Sequence, residues 1–585
     1  MAPRKNDEVR GWLKGVLPAL PWVAAAIGCW PLLSGGFPKG HDWLLKLVRV
    51  AEYQAALAAG QLPPYWGENL YGGYGSPVFL FYAPLFSAGS SLIGWLLGTP
   101  LLGALICTVL ASLLAVPATR AMLDSALGVS QGSSPPSKSE DAVLAAAARV
   151  GVSVYVLHPY LLGNKLIRNA SAEFAALCLM PLVLYGVLIA SRRPRAAFGW
   201  LSGGLAIVIL THNLTALAAV TLAVGAAIVC YLRERSPYTW RVLAGGVAIG
   251  LAGAFFFWFP AVALTDLIRT EDLLRGKFDF HRQFPDFPAA FGYSRFYATG
   301  VLTPLILALG VALTVGGRGI RREDNGQSRL VLVAALTAAG VILLLLTPLS
   351  SAIWERIPLM PLFQFPWRML GPLALLCAVV SACVFARLLS GQGARRLAFA
   401  ELGVWGLCVL NAAPALNAYA PLRPAIKARL PVILAPASIR EGRQSVTVLD
   451  EYLPRAADPE TWRTERPTRG PLVWVRGDAM IEVVEDGGTR ISLEVDATEA
   501  TILRVARWAF PGWVYEVDGI PSKHFENQAG SLDLPVPSGH HHLVLRLEPP
   551  WQRRVGLAVS GAALLLWLAL LTRWPWRRRS TSATV

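Results

Sequence analysis

Residues 78–122 read VFLFYAPLFSAGSSLIGWLLGTPLLGALICTVLASLLAVPATRAM, with no acidic or basic side chain before Arg120. A run this long without a charge belongs to a chain that buries its helices in lipid. Gly98-Thr99-Pro100 interrupts it, so it reads as two helices broken at a turn. The pattern recurs along all 585 residues, of which 54% are hydrophobic and 15% charged. A soluble protein could not cover that much apolar surface, whereas apolar blocks of roughly 17–25 residues each suit a bilayer.

Further apolar helices are expected at about 15–33, 142–163, 170–190, 197–212, 214–232, 242–265, 299–316, 330–347, 369–390, 398–414 and 555–572. The count is about 12–13. The net charge of +16 gathers in short loops: SRRPR (191–195), RERSPYTWR (233–241), GGRGIRRED (316–324), GQGARR (391–396) and the tail RWPWRRRS (573–580). Such loops set membrane orientation, so they are assigned to the cytoplasm together with both termini, and nucleic acid is excluded as a partner. Parity then requires 78–122 to cross an odd number of times, making one of its halves re-entrant or interfacial. The basic start and apolar run of the N-terminus lack a cleavage site, which reads as a retained first helix of a multi-pass inner-membrane protein. All seven cysteines lie in apolar segments, so no disulfide framework or cysteine metal site is expected.

The same bookkeeping puts the 34–77 loop on the outer face. The turns GNKLIRNASAE (163–173) and THNLT (211–215), the loop 266–298 and the IWERIPLMPLFQFPWR turn (353–368) join it there. Residues 122–141, rich in Ser and Pro, read as a cytoplasmic linker. Between about 415 and 552 charges rise and apolar runs shorten and alternate, as in AMIEVVEDGGTRISLEVDA (479–497). This is an expected extracytoplasmic β-sandwich. The resulting division is 1–414 transmembrane, 415–552 β-rich, and 553–585 a final span with a basic tail. His540, His541 and His542 alternate faces in a strand and cannot share one metal.

Candidate chemistry sits in the outer features. If Asp42 opens a helix, Asp42, Lys46, Arg49 and Tyr53 share a face, while Trp43, Leu44, Leu45, Leu47 and Val48 suit the membrane surface. Asp42 is then either an N-cap paired with Lys46 or a functional carboxylate. Lys165, Arg168, Glu173 and His212 gather at the same membrane face, where ionisable groups are costly and default to function. The competing readings are snorkelling cations and a turn-satisfying histidine. Arg368, behind Phe363, Phe365 and Trp367, is either a head-group anchor in an aromatic belt or a ligand for a lipid phosphate. Trp66, Tyr71 and Tyr74 either wall a sugar or lipid site or pack their own loop. No P-loop, dinucleotide fingerprint or His-Glu-x-x-His occurs.

An acidic residue in the first outer loop followed by a surface helix resembles the GT-C class of integral-membrane glycosyltransferases. More narrowly, several motifs together resemble the bacterial family labelled 6-pyruvoyl-tetrahydropterin-synthase-related membrane protein. They are HDWLLKLVRVAEYQAALAAGQLPPYW (41–66), GGYGSPVFLFYAPL (72–85), IRNASAE (167–173), THNLTAL (211–217), FQFPWR (363–368) and FPGWVYEVDG…VPSGHHHLVLRLEPP (510–550). The scattered histidines assemble no three-His zinc site of the soluble pterin synthase, so the GT-C likeness carries the functional expectation. It implies an inverting transferase with Asp42 as catalytic base; His41, by its place beside Asp42, is a further candidate for acceptor or metal contact. Nucleotide sugars are absent outside the cell, so the donor expected is a polyprenyl-phosphate sugar and the acceptor an extracytoplasmic glycan, lipid or protein. A leaving phosphate needs cations rather than an acid, which gives Lys165, Arg168 and Arg368 the phosphate role. Glu173 and His212 would orient the site or help hold a divalent cation, Mg or Mn, with Asp42 the other acidic candidate and no metal site assigned. The alternatives are a flippase for a lipid-linked glycan and a non-catalytic assembly protein for envelope polysaccharide.

Overall fold

The computed structural model describes residues 15–128, 138–285, 300–315, 326–443, 450–465 and 470–573. The helices used below are α1 Leu20–Gly35, α2 Trp43–Ala58, α3 Pro84–Leu96, α4 Pro100–Leu127, α5 Lys138–Val156, α6 Ser171–Leu188, α7 Pro194–Thr211 and α8 Asn213–Glu234. They continue with α9 Pro237–Gly253, α10 Phe255–Ala263, α11 Leu302–Val315, α12 Gly326–Leu345, α13 Leu370–Leu388, α14 Ala394–Asn417 and α15 Trp551–Arg573. Among the described residues nine helices are long and apolar enough to cross a bilayer. The total reaches eleven if the bent pairs, α9 with α10 at 70° and the end of α12 with Pro348–Arg356 at 89°, each count as one span. The 14-residue α11 is a further, shorter apolar helix.

The break at Gly98–Pro100 is real: Thr99 caps α4 by accepting from the Leu101 N–H at 3.3 Å, and Pro100 opens the helix. Of the two halves, only α4 meets the span criteria. The expected linker at 122–141 is shorter than its composition suggested. Helix α4 runs to Leu127 and α5 starts at Lys138, because Met122, Leu123, Ala126 and Leu127 bury apolar side chains despite the nearby Ser and Gly. Its middle, the loop 316–324, the second half of the 266–298 loop and the tail beyond Arg573 lie outside the described residues.

The β half begins later than the composition change. Residues after α14 first form short helices, including Pro424–Ile433, and strands start at Leu472. Among the described residues nine strands follow: β1 Leu472–Arg476, β2 Ala479–Asp486, β3 Arg490–Ala497, β4 Thr501–Trp508, β5 Trp513–Val517, β6 Ile520–Ser522, β7 Phe525–Glu526, β8 Ser531–Val536 and β9 Gly539–Leu547. They build two antiparallel sheets, β1-β4-β8-β7 and β2-β3-β9-β5-β6. Alternation along β3 and β4 supplies the shared core: Leu493, Val495, Leu503 and Val505 are all buried. The Tyr515 hydroxyl of β5 donates to the Pro535 carbonyl of β8 at 2.8 Å, tying the sheets together. His540 and His542 both reach Glu494 whereas His541 turns to Asp518, as period-two alternation requires.

Candidate functional site

The site is built where α2 meets the turn before α6. Residues Pro38–Asp42 lie against Ile167–Asn169, and the Asp42 N–H donates to the Arg168 carbonyl at 3.0 Å. Gly40 permits this approach, since a Cβ there would come within 2.6 Å of both the Asn169 side chain and the Ile167 carbonyl. The opposing turn is a single π-helical turn, Asn164–Arg168, that ends on Asn169 in the left-handed region at φ 60°. Such turns recur at functional sites because they re-aim side chains.

Asp42 occupies the N-cap position of α2, but its side chain makes no capping bond. The ion pair with Lys46 that the N-cap reading required does not form either. The Lys46 ammonium bonds the Asn169 side-chain oxygen and the Ser171 hydroxyl and lies over the Phe37 ring. Burial pushes Lys46 down to about 7, opposed by the charge of Asp42. The face Asp42-Lys46-Arg49-Tyr53 therefore turns inward, with Lys46 and Tyr53 buried. The membrane-surface assignment fails for Leu47 and Val48, both 0% exposed, because neighbouring protein already covers them.

Behind Asp42 stands a buried polar cluster. One Glu173 carboxylate oxygen accepts from the Tyr160 hydroxyl at 2.6 Å and from Asn164 Nδ2 at 3.1 Å. The other accepts from Arg168 at 3.1 Å and lies 3.8 Å from Arg368 Nε. Arg168 also bonds the Asn164 side-chain oxygen and stacks 4.6 Å from the Trp367 ring. Arg368 donates to the Phe363 carbonyl at 2.8 Å and to Gln364 Oε1 at 3.2 Å. Its Nε is buried and has no hydrogen-bond partner among the described residues. Gln364 itself holds a strained φ of 60° and ψ of −40°, a conformation that the Arg368 contact helps to hold in place.

His212 caps α8 by accepting from the Thr215 N–H at 3.3 Å, yet it lies within electrostatic reach of Glu173, Arg168 and Arg368. His41 is exposed at the edge. Lys165 is not brought to this cluster. It turns into the helix bundle, with its ammonium 3.4 Å from Ser112 Oγ and 3.8 Å from Cys29 Sγ, because the π turn aims it at α1 and α4. Trp66, Tyr71 and Tyr74 are also absent from the site. All three are buried as packing under the β half, against Trp513, Trp462 and Trp508 respectively.

Sequence reading missed Tyr160, Asn164 and the Glu451-Tyr452 pair. Asn164 carried a signal, being an amide in the same turn as Lys165, Arg168 and Glu173. Tyr452 carried none. It comes from the segment before the sheets, stacks on Phe81 at 6.3 Å and feels the charges of Glu451, Arg49 and Arg368. Lys46, Arg168 and Arg368 thus lie within electrostatic reach of Asp42, and Arg168 and Arg368 also of Glu173. The arrangement suits an anion beside a base. For a divalent cation the donor set is poor: both Glu173 oxygens are engaged, and no three metal-ligating side chains cluster among the described residues.

No protein-family model matches the chain, and no curated protein matches it. Solved structures do. Arabinofuranosyltransferase AftD from Mycobacteria aligns at 20% identity over 71% of this chain, with a TM-score of 0.42. The chain spans only 27% of that protein's length. The apo oligosaccharyltransferase of Archaeoglobus fulgidus aligns at 12% identity, covering 75% of this chain and 61% of that one, with a TM-score of 0.40. ArnT from Cupriavidus metallidurans bound to undecaprenyl phosphate aligns at 12% identity over 65% and 78%, with a TM-score of 0.28. These likenesses are remote, so the functional reading rests on the site itself.

Proposed function

We propose that the protein is a GT-C-type membrane glycosyltransferase that moves a sugar from a polyprenyl-phosphate donor to an extracytoplasmic acceptor. The observation that carries the reading is an uncapped, half-buried carboxylate, Asp42, within electrostatic reach of the buried Arg168 and the partly buried Arg368. One of those arginines keeps an unsatisfied Nε–H among the described residues. Asp42 removes the proton from the acceptor hydroxyl, whose oxygen then attacks the anomeric carbon from the face opposite the phosphate. The carbon–oxygen bond to phosphate breaks, and the electron pair leaves on the phosphate. Arg168 and Arg368 neutralise the charge that develops there, so no general acid is needed. Glu173 keeps the two guanidiniums apart from each other and correctly aimed. In this reading residues 1–414 hold the donor, the β half lies outside the cell and meets the acceptor, and both termini are cytoplasmic.

The test is transfer from a radiolabelled polyprenyl-phosphate sugar, with purified protein in liposomes and a panel of envelope glycan acceptors. Asp42→Asn should lower turnover by at least about a hundredfold while donor binding persists. Chelation with EDTA should leave the rate unchanged, because guanidiniums rather than a cation carry the phosphate. If Asp42→Asn transfers as fast as wild type, the base assignment is wrong. Labelled lipid crossing the bilayer without sugar transfer would establish the flippase instead.

A further inference from the structure

Along α7, with its mouth at the end remote from His212, a cavity of about 660 Å³ opens at the protein surface between α7 and α15. Its mouth at Arg193 and Arg195 lies roughly 27 Å along the 18-residue α7 from His212, while the lining runs up the helix as far as Ile207. Its floor is fixed by the Trp567 indole, which donates to the Ser202 hydroxyl at 2.8 Å. Gly199 and Gly203 line one wall, and Leu571 and Trp567 line the other.

Those glycines are not required by helix contact. A Cβ on Gly199 would come no nearer than 3.4 Å to Leu571, and one on Gly203 no nearer than 3.9 Å to Trp567. Where helices in this chain do touch, the same test gives 1.9 Å at Gly103. Glycine is a poorer helix former than alanine, so the two hold open a space the fold does not fill. At the mouth stand Arg193 and Arg195, both exposed and without an ion pair among the described residues. An apolar slot of this size with two free guanidiniums at its mouth matches a lipid tail below an anionic head.

We propose that this groove binds a glycerophospholipid with a net negative head group, its phosphate on Arg193 and Arg195 and one acyl chain along Gly199 and Gly203. The site is independent of the transferase reading and uses none of its residues.

Native mass spectrometry of the full chain, released from detergent micelles and titrated with phosphatidylglycerol or phosphatidylcholine, tests it. Wild type should retain phosphatidylglycerol at least tenfold more tightly. The Arg193→Gln, Arg195→Gln double variant should bind it roughly thirtyfold more weakly and lose the preference over phosphatidylcholine. Gly203→Leu, which fills the slot, should reduce both adducts. Equal retention of the two lipids by wild type overturns the proposal, and this comparison needs no variant to fold. Undiminished phosphatidylglycerol binding in both variants overturns it too. So does one-for-one displacement of phosphatidylglycerol by polyprenyl phosphate, which would make the groove a carrier-lipid site.

Discussion

At the scale of single residues, the carboxylates divide by environment. Asp42 is half-buried with its cap role unused, whereas Glu52 on the same helix is 1% exposed and fully enclosed. Glu52 accepts from the Asn69 N–H at 3.1 Å and from Asn69 Nδ2 at 2.9 Å, and burial pushes it up from its ordinary 4.5 to about 7. Between those two values the folded protein holds a proton that the unfolded chain has released. Stability contributed by this group therefore falls as pH rises from about 4.5 to about 7, by about 3 kcal/mol, and is level above that. Lys46 titrates in the opposite sense and above this window: its lowered value makes stability rise with pH only beyond about 7. Melting detergent-solubilised wild type and Glu52→Gln at pH 5 and pH 7 reads the Glu52 contribution as the difference between them, because buried His212, lowered to about 4, titrates in the opposite sense in both. The gap in melting temperature between wild type and Glu52→Gln should shift against wild type by several degrees from pH 5 to pH 7; a gap that does not change with pH would reassign the titration to another group. Residue types were legible here and roles were less so. Asp42, Arg168, Glu173, His212 and Arg368 do gather, but Lys165 does not, since one π-helical turn redirects it in a way that period 3.6 cannot reveal.

At the scale of elements, the run 78–122 shows what periodicity reads well. Its length and lack of charge gave two helices, and Gly98-Thr99-Pro100 gave their break. What it could not give is the pairing. Helices α3 and α4 fold back on each other so closely that a Cβ on Gly103 would lie 1.9 Å from the Ser90 carbonyl oxygen and 2.7 Å from the Gly94 nitrogen. No side chain fits there, whatever its rotamer, so Gly103→Val should force the hairpin apart. Its effect can be read locally, because a Cβ on Gly89 would sit 3.4 Å from Cys107 Sγ. In an otherwise wild-type chain the Gly89→Cys variant should crosslink to Cys107 under mild oxidation, and adding Gly103→Val should abolish the crosslink. Retention of full crosslinking would mean that the hairpin absorbs the side chain by sliding. The linker at 122–141 misled for the complementary reason. Serine and proline report local preference, while burial of Met122 and Leu127 against the bundle decides where the helix ends.

At the scale of the whole molecule, the candidate site depends on how the β half grips the loop that follows α2. Gln61 shapes the loop, its Oε1 accepting from the Tyr65 and Trp66 N–H groups at 3.1 and 3.0 Å. The Tyr65 hydroxyl then donates to the Leu547 carbonyl at 2.8 Å, the Trp508 N–H to the Tyr74 carbonyl at 3.1 Å, and Arg507 to the Gly73 carbonyl at 2.8 Å. Arg507 also bonds Asp486, which in turn holds Arg440 beside Asn69. Composition located the β half and periodicity its strands, but the bonds from Tyr65, Gly73 and Tyr74 to Leu547, Arg507 and Trp508 join residues more than 400 positions apart, which is why the aromatic loop could be read equally well as a ligand wall. Trp66 is the keystone of that seam: it is 0% exposed and wedged against Trp513 and Phe510. Removing such a ring costs about 3–5 kcal/mol, enough to free the loop while the helices and strands on either side keep their other buried side chains. Trp66→Ala should therefore make residues 61–77 sensitive to limited proteolysis and reduce sugar transfer, with α2 no longer held in place. Asp42→Asn should abolish transfer while leaving the loop as protected as in wild type. If Trp66→Ala leaves protection intact yet abolishes transfer, Trp66 acts on the substrate after all, and the loop is a wall of the site rather than its support.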